Sequence, residues 1–152
     1  MNKERINEYA VRISQSSRGQ LVAITCEIAA EYMQDARSSL KEGDKKMFSF
    51  YIKKAMDFVD NLSSSLDMKY PISGNLLSLY MYVKRVLIHA NAAYTDENLE
   101  SGINVMKSIG ETYEDIAGKD ENGQKLMENS QEIYAGYTYG RNSRLNEFVV
   151  RN

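Results

Sequence analysis

Apolar residues recur at three- and four-residue intervals along most of this chain, and a single proline interrupts them in 152 residues. That spacing puts them on one face of a helix rather than on the alternating faces of a strand. The chain is thereby confined to long helices packed on one another. The first run is Leu21, Ile24, Ile28, Tyr32, Ala36 and Leu40, widened by Val22, Cys26, Ala29 and Met33. Ser17 precedes it as an N-cap, with Gln20 three residues on in capping-box spacing. Gly43 ends this helix and Asp44 caps the next.

The second run, Phe48, Tyr51, Ile52, Ala55, Phe58, Val59, Leu62 and Leu66, ends near Ser63-Ser64-Ser65. Pro71 pushes residue 70 out of the helical region and then suits the first turn of a third helix. That helix carries Ile72, Leu76, Leu79, Tyr80, Val83, Leu87 and Ala90. Thr95-Asp96-Glu97 opens a fourth, whose stripe is Leu99, Ile103, Met106, Gly110, Tyr113 and Ala117. The acidic first turn complements the helix dipole.

Connections of a few residues make neighbouring helices antiparallel. The expected fold is therefore all-α, an antiparallel up-down four-helix bundle with a short fifth helix and an irregular C-terminal tail. Residues 1–16 read as a flexible N-terminal segment and 17–118 as the bundle. Residues 119–152 read as the short helix, near 124–134, and a tyrosine-rich tail.

Composition narrows the function. Nineteen basic against twenty-one acidic residues give a formal charge of −2, without the basic excess of a nucleic-acid-binding protein. One cysteine forms no internal disulfide and builds no zinc site, as in a reduced, cytoplasmic chain. The N-terminus carries both charges and lacks an apolar signal core, and no apolar stretch is long enough to insert into a membrane.

The residues that carry chemistry are sparse. A di-iron bundle needs two Glu-x-x-His pairs. Here the position three before His89 is Val86, and there is no second histidine. Glu27, Glu31, Glu111 and Glu114 read as solvated-face charges. Arg85 and His89 share a helix face, as in HEPN-type RNases, but only three residues separate them. Cys26 has apolar neighbours at Val22, Ala29 and Ala30, the setting of a buried structural thiol. Neither metal nor cofactor is implied, and the chain reads as a binding protein rather than an enzyme.

The third helix is apolar over most of its circumference, from Leu76 and Leu77 through Met81 and Tyr82 to Val86 and Ile88. A bundle helix needs only a stripe. The surplus is covered by the fifth helix and tail, by another protomer, or by a client segment laid in a groove.

Leu66-Asp67-Met68-Lys69-Tyr70, Ile72 and Leu76, followed by Leu79-Tyr80-Met81-Tyr82, Leu87 and Ala90-Asn91, resemble the core signature of the flagellin-export chaperone family, FliS. The resemblance covers roughly residues 6–117. It implies a cytoplasmic helical bundle that binds the disordered C-terminal segment of flagellin, prevents its premature polymerisation and delivers it to the flagellar type III export gate. On this resemblance the client surface draws on Leu76, Leu79, Tyr80, Val83 and Leu87 with Ile103, Met106, Ile109 and Tyr113, some of which are core. Ile6 and Tyr9 match the family's N-terminal aliphatic–tyrosine pair that covers an empty groove. At the start of the first helix Ser17-Arg18 stands where relatives have Ser-Pro. The alternatives are an RNase-like bundle and a generic helical adaptor. The tail, with Leu126, Ile133, Tyr134, Tyr137 and Tyr139, offers a surface for covering the groove or for self-association.

Overall fold

A computed structural model describes residues 1–119 of the chain. Five helices make up the described part, in the order α1 (Lys3–Ser14), α2 (Arg18–Lys41), α3 (Lys45–Ser64), α4 (Ile72–Ala93) and α5 (Leu99–Lys119). Helices α2–α5 are the four expected bundle helices. The helix expected near 124–134, the tail and its self-association surface lie outside the described residues.

Local sequence explains most helix ends. The Ser17–Gln20 capping box forms in both directions: the Gln20 amide donates to Ser17 Oγ at 3.2 Å, and the Ser17 amide to Gln20 Oε1 at 2.9 Å. Gly43 adopts φ +74°, a left-handed conformation that glycine takes without a side-chain clash. Asp44 Oδ1 then accepts the Met47 amide at 3.0 Å and starts α3. The α3–α4 connection is pinned by Ser73, fully buried, whose hydroxyl donates to the Asp67 carbonyl at 2.6 Å.

Two boundaries depart from expectation. α5 begins at Leu99 rather than at Thr95, because Tyr94 (φ 50°) and Asn98 (φ 65°) both lie in the left-handed region and bracket a turn. Twelve of the first sixteen residues form α1, where the sequence reading has no helix. Asn2 caps it by accepting the Arg5 amide at 2.8 Å, with Glu4 in its first turn and Arg12 in its last. Of its residues only Tyr9 is buried, while Ile6, Ala10 and Ile13, which recur with it at helical spacing, are exposed.

α2 lies between α3 and α5, α4 closes the ring against both of them, and α1 packs on α2 alone. Polar pairs fix the antiparallel directions. Ser49 near the start of α3 donates to Asn91 near the end of α4, while Asp60 late in α3 pairs with Lys84 at 2.6 Å. The contact between α2 and α5 is built from small residues. A Cβ at Gly110 would lie 3.2 Å from Cys26 Cβ and 3.4 Å from the Ala23 carbonyl, so the two backbones approach closely there. Between the helices, Met33, Phe48, Ile52, Tyr80, Leu87 and Met106 fill the core.

Candidate functional site

The nine bundle residues expected at the client surface are all buried. Leu76, Leu79, Tyr80, Val83 and Leu87 on α4, and Ile103, Met106, Ile109 and Tyr113 on α5, belong to one continuous core. The physical reason is the position of α4, which packs against α3 on one side and α5 on the other. A helix with two neighbours buries a broader stripe than one with a single neighbour. Tyr82 is half-buried and donates to Ser101 Oγ at 2.8 Å, which ties the surplus to α5. Ile88 is the large apolar residue of α4 left exposed.

The N-terminal pair divides. Tyr9 is 3% exposed and belongs to the buried core cluster, whereas Ile6 is 46% exposed. Arg85 and His89 both lie on the exposed face of α4, and His89 Nε2 sits 3.4 Å from Glu97 Oε2.

A cleft of about 800 Å³ opens instead between α1, α2 and α5. Its floor is small or flexible and apolar: Ala23 and Ala30 from α2, Met106 and Gly110 from α5. Its walls are charged. Arg5 and Arg12 come from α1, Glu27, Glu31, Gln34 and Asp35 from α2, and Lys107, Glu111 and Glu114 from α5. Met106 is the one bundle residue from the expected client surface that reaches it.

α1 is held over this cleft by Tyr9 and a set of ion pairs. The tyrosine ring lies under the Arg5 guanidinium, 4.5 Å from its centroid, with Arg12 at 5.3 Å. Its hydroxyl donates to Glu31, has Glu27 Oε1 at 3.1 Å, and accepts from Arg5 Nη2 at 3.0 Å. Arg5 Nε reaches both Glu31 oxygens at 3.1 Å. Arg12 grips Glu27 with two nitrogens, at 3.1 and 2.8 Å. Burial, reinforced by the neighbouring carboxylates, pushes the Tyr9 phenol well above its ordinary value. The Arg12 fork holds the Glu27 carboxyl below the usual carboxylate range.

Glu111 and Glu114 are exposed, as expected of solvated-face charges, while Glu27 and Glu31 are half-buried, and all four line the cleft. The signal that distinguishes them is their company. Glu27 and Glu31 are one turn apart and flanked by Ala23 and Ala30, while Glu111 and Glu114 follow Gly110. Small residues beside paired acids leave room for another helix.

These features define a helical bundle with a charged-walled cleft roofed by its own N-terminal helix. The family model of the flagellar protein FliS matches residues 1–120, and the chain belongs to that family, the flagellar export chaperones. No curated protein matches the chain. No helix among the described residues is long and apolar enough to cross a membrane.

Proposed function

We propose that the chain binds the C-terminal segment of flagellin as an amphipathic helix in the cleft between α2 and α5, with α1 giving way to it. Bound there, the segment hides the apolar face through which it would polymerise, and the complex travels through the cytoplasm to the type III export gate. The observation that carries this reading is the nature of the roof: a 12-residue helix attached by one buried side chain, partly exposed ion pairs and, just before it, the N-terminal ammonium on Asp35. Such a helix is replaceable by another of similar shape, because an isolated helix of about 12 residues has little stability of its own.

In this reading Tyr9 belongs to the cover, with Ile6 beside it, and Met106 forms the client floor. Leu76, Leu79, Tyr80, Val83, Leu87, Ile103, Ile109 and Tyr113 set the spacing of the helices that shape the cleft from within. Co-expression with the cognate flagellin followed by size-exclusion chromatography tests the proposal. The two chains should co-elute as a soluble complex, and a peptide of the flagellin C-terminus should gain helical circular dichroism on titration. Separate elution together with a flat titration would refute it.

A further inference from the structure

We infer that the client segment is basic as well as amphipathic, carrying two cationic side chains about two helical turns apart on the face that enters the cleft, to replace Arg5 and Arg12. This rests on the reading that a client displaces α1. With α1 in place, the cleft is lined by five carboxylates (Glu27, Glu31, Asp35, Glu111 and Glu114) against three cations, Arg5, Arg12 and Lys107, and the N-terminal ammonium pairs with Asp35 at 2.6 Å. Departure of α1 removes two of those cations and leaves only Lys107.

Glu27 and Glu31 decide the chemistry of whatever follows. Both flank the apolar floor at Ala23 and Ala30, and both are partly buried beneath α1. An uncharged apolar helix covering that floor would strip water from two carboxylates and give nothing in return, a desolvation cost that opposes binding. A helix that offers guanidinium or ammonium groups at the same places restores charge-assisted hydrogen bonds and removes that cost.

α1 is itself the template for the motif. Arg5, Tyr9 and Arg12 occupy positions i, i+4 and i+7 of one helix face, the two arginines about 10 Å apart along the axis. Arg5 faces Glu31 and Arg12 faces Glu27, with the aromatic ring between the two guanidinium groups. The matching occupant is basic–x3–large apolar–x2–basic, or its reverse.

The test uses the full chain and two fluorescent helical peptides of identical apolar face, one with arginine at the two flanking positions and one with glutamine. The C-terminal segment of the cognate flagellin is the reference ligand. Because charge-neutral cleft variants also loosen α1, the measurements are made in both wild type and Tyr9→Ala. Within the Tyr9→Ala background the α1 contribution is already lost, so Glu27→Gln/Glu31→Gln reports on the client alone. The arginine peptide should bind about tenfold or more tighter than the glutamine peptide, with strong salt dependence. That preference should collapse in Glu27→Gln/Glu31→Gln, and the flagellin segment should weaken by a similar factor.

Equal binding of the two peptides, or flagellin binding untouched by the double substitution, would overturn the inference while leaving the client reading intact. Discrimination between the peptides with no flagellin binding would do the reverse. A full-length protein that takes either peptide only after Arg141, Arg144 and Arg151 are changed to glutamine would identify the chain's own basic C-terminal segment as the occupant and overturn the proposal. Thermal melts of each variant confirm that it is folded.

Discussion

Replacing Tyr9 with alanine should undock α1 without unfolding the bundle. Tyr9 is the only buried residue of the helix, 3% exposed, and its ring and hydroxyl organise Arg5, Glu27 and Glu31. Truncating a buried aromatic side chain costs about 3–5 kcal/mol, and the low end of that range applies to a residue at the edge of the core. The ion pairs left behind do not compensate. Arg5 and Glu31 are 32% and 25% exposed at their side chains, and Arg12 and Glu27 are more open still. Pairs of this kind contribute roughly 0.2–1 kcal/mol each. A loss of about 3 kcal/mol shifts the docked-to-undocked ratio by roughly a hundredfold. Hydrogen exchange should then show residues 3–14 losing protection while α2–α5 keep theirs. The affinity for the flagellin segment should rise by up to roughly a hundredfold, with the reciprocal of the wild-type undocked fraction as its ceiling. Two results would refute the reasoning: unchanged protection over 3–14, or equal loss of protection throughout the bundle, which would make α1 an integral element and not a cover.

Docking of α1 should also respond to pH at both ends. The Glu27 carboxyl titrates below its ordinary 4.5 when docked, so its contribution is full above that value and lost as pH falls through the docked value. The Tyr9 phenol titrates above its ordinary 10.0, so its contribution is full below pH 10 and lost as pH rises further. An environment-sensitive dye on Asn7→Cys should report a plateau between these limits, with the alkaline limb absent in Tyr9→Phe. The native thiol will not interfere: Cys26 is 0% exposed and burial raises its pKa. It should react with a thiol reagent about a thousandfold more slowly in the native protein than in urea, and rapid native labelling would mean that the α2–α5 contact opens. Gly110→Ala should lower stability by about 1 kcal/mol, because the new Cβ meets Cys26 Cβ and the Ala23 carbonyl, neither of which can swing away. Gly74→Ala, with nothing within 4 Å, should instead gain several tenths of a kcal/mol in a denaturant titration.

The bundle was legible because α2–α5 each bury a periodic stripe and several carry end signals written in single residues, such as Ser17, Gly43 and Asp44. α1 was not, because its stripe of Ile6, Tyr9, Ala10 and Ile13 spans only two turns and buries Tyr9 alone, the rest of its hold on the bundle being ion pairs. The start of α5 was displaced because the left-handed turn at Tyr94 and Asn98 is set by how α4 and α5 meet, and neither residue is a glycine. The large apolar residues of α4 and α5 drew attention as a client surface, yet size and hydrophobicity are what core positions select. The cleft is built from the opposite materials, Ala23, Ala30 and Gly110 beside Glu27 and Glu31. Its existence depends on the spacing of two helices distant in sequence, a property that helical periodicity does not encode.

Methyl spectroscopy of the chain during titration with the flagellin C-terminal segment would locate the client on the bundle. The methyl signals of Ala23, Ala30 and Met106, at the cleft floor, should shift together as ligand is added. Signals of Ala55 and Met56 on α3, and of Met68 beyond its end, should stay in place. Saturable shifts confined to α3 and α4 with the cleft floor unmoved would place the client elsewhere and rule out binding between α2 and α5.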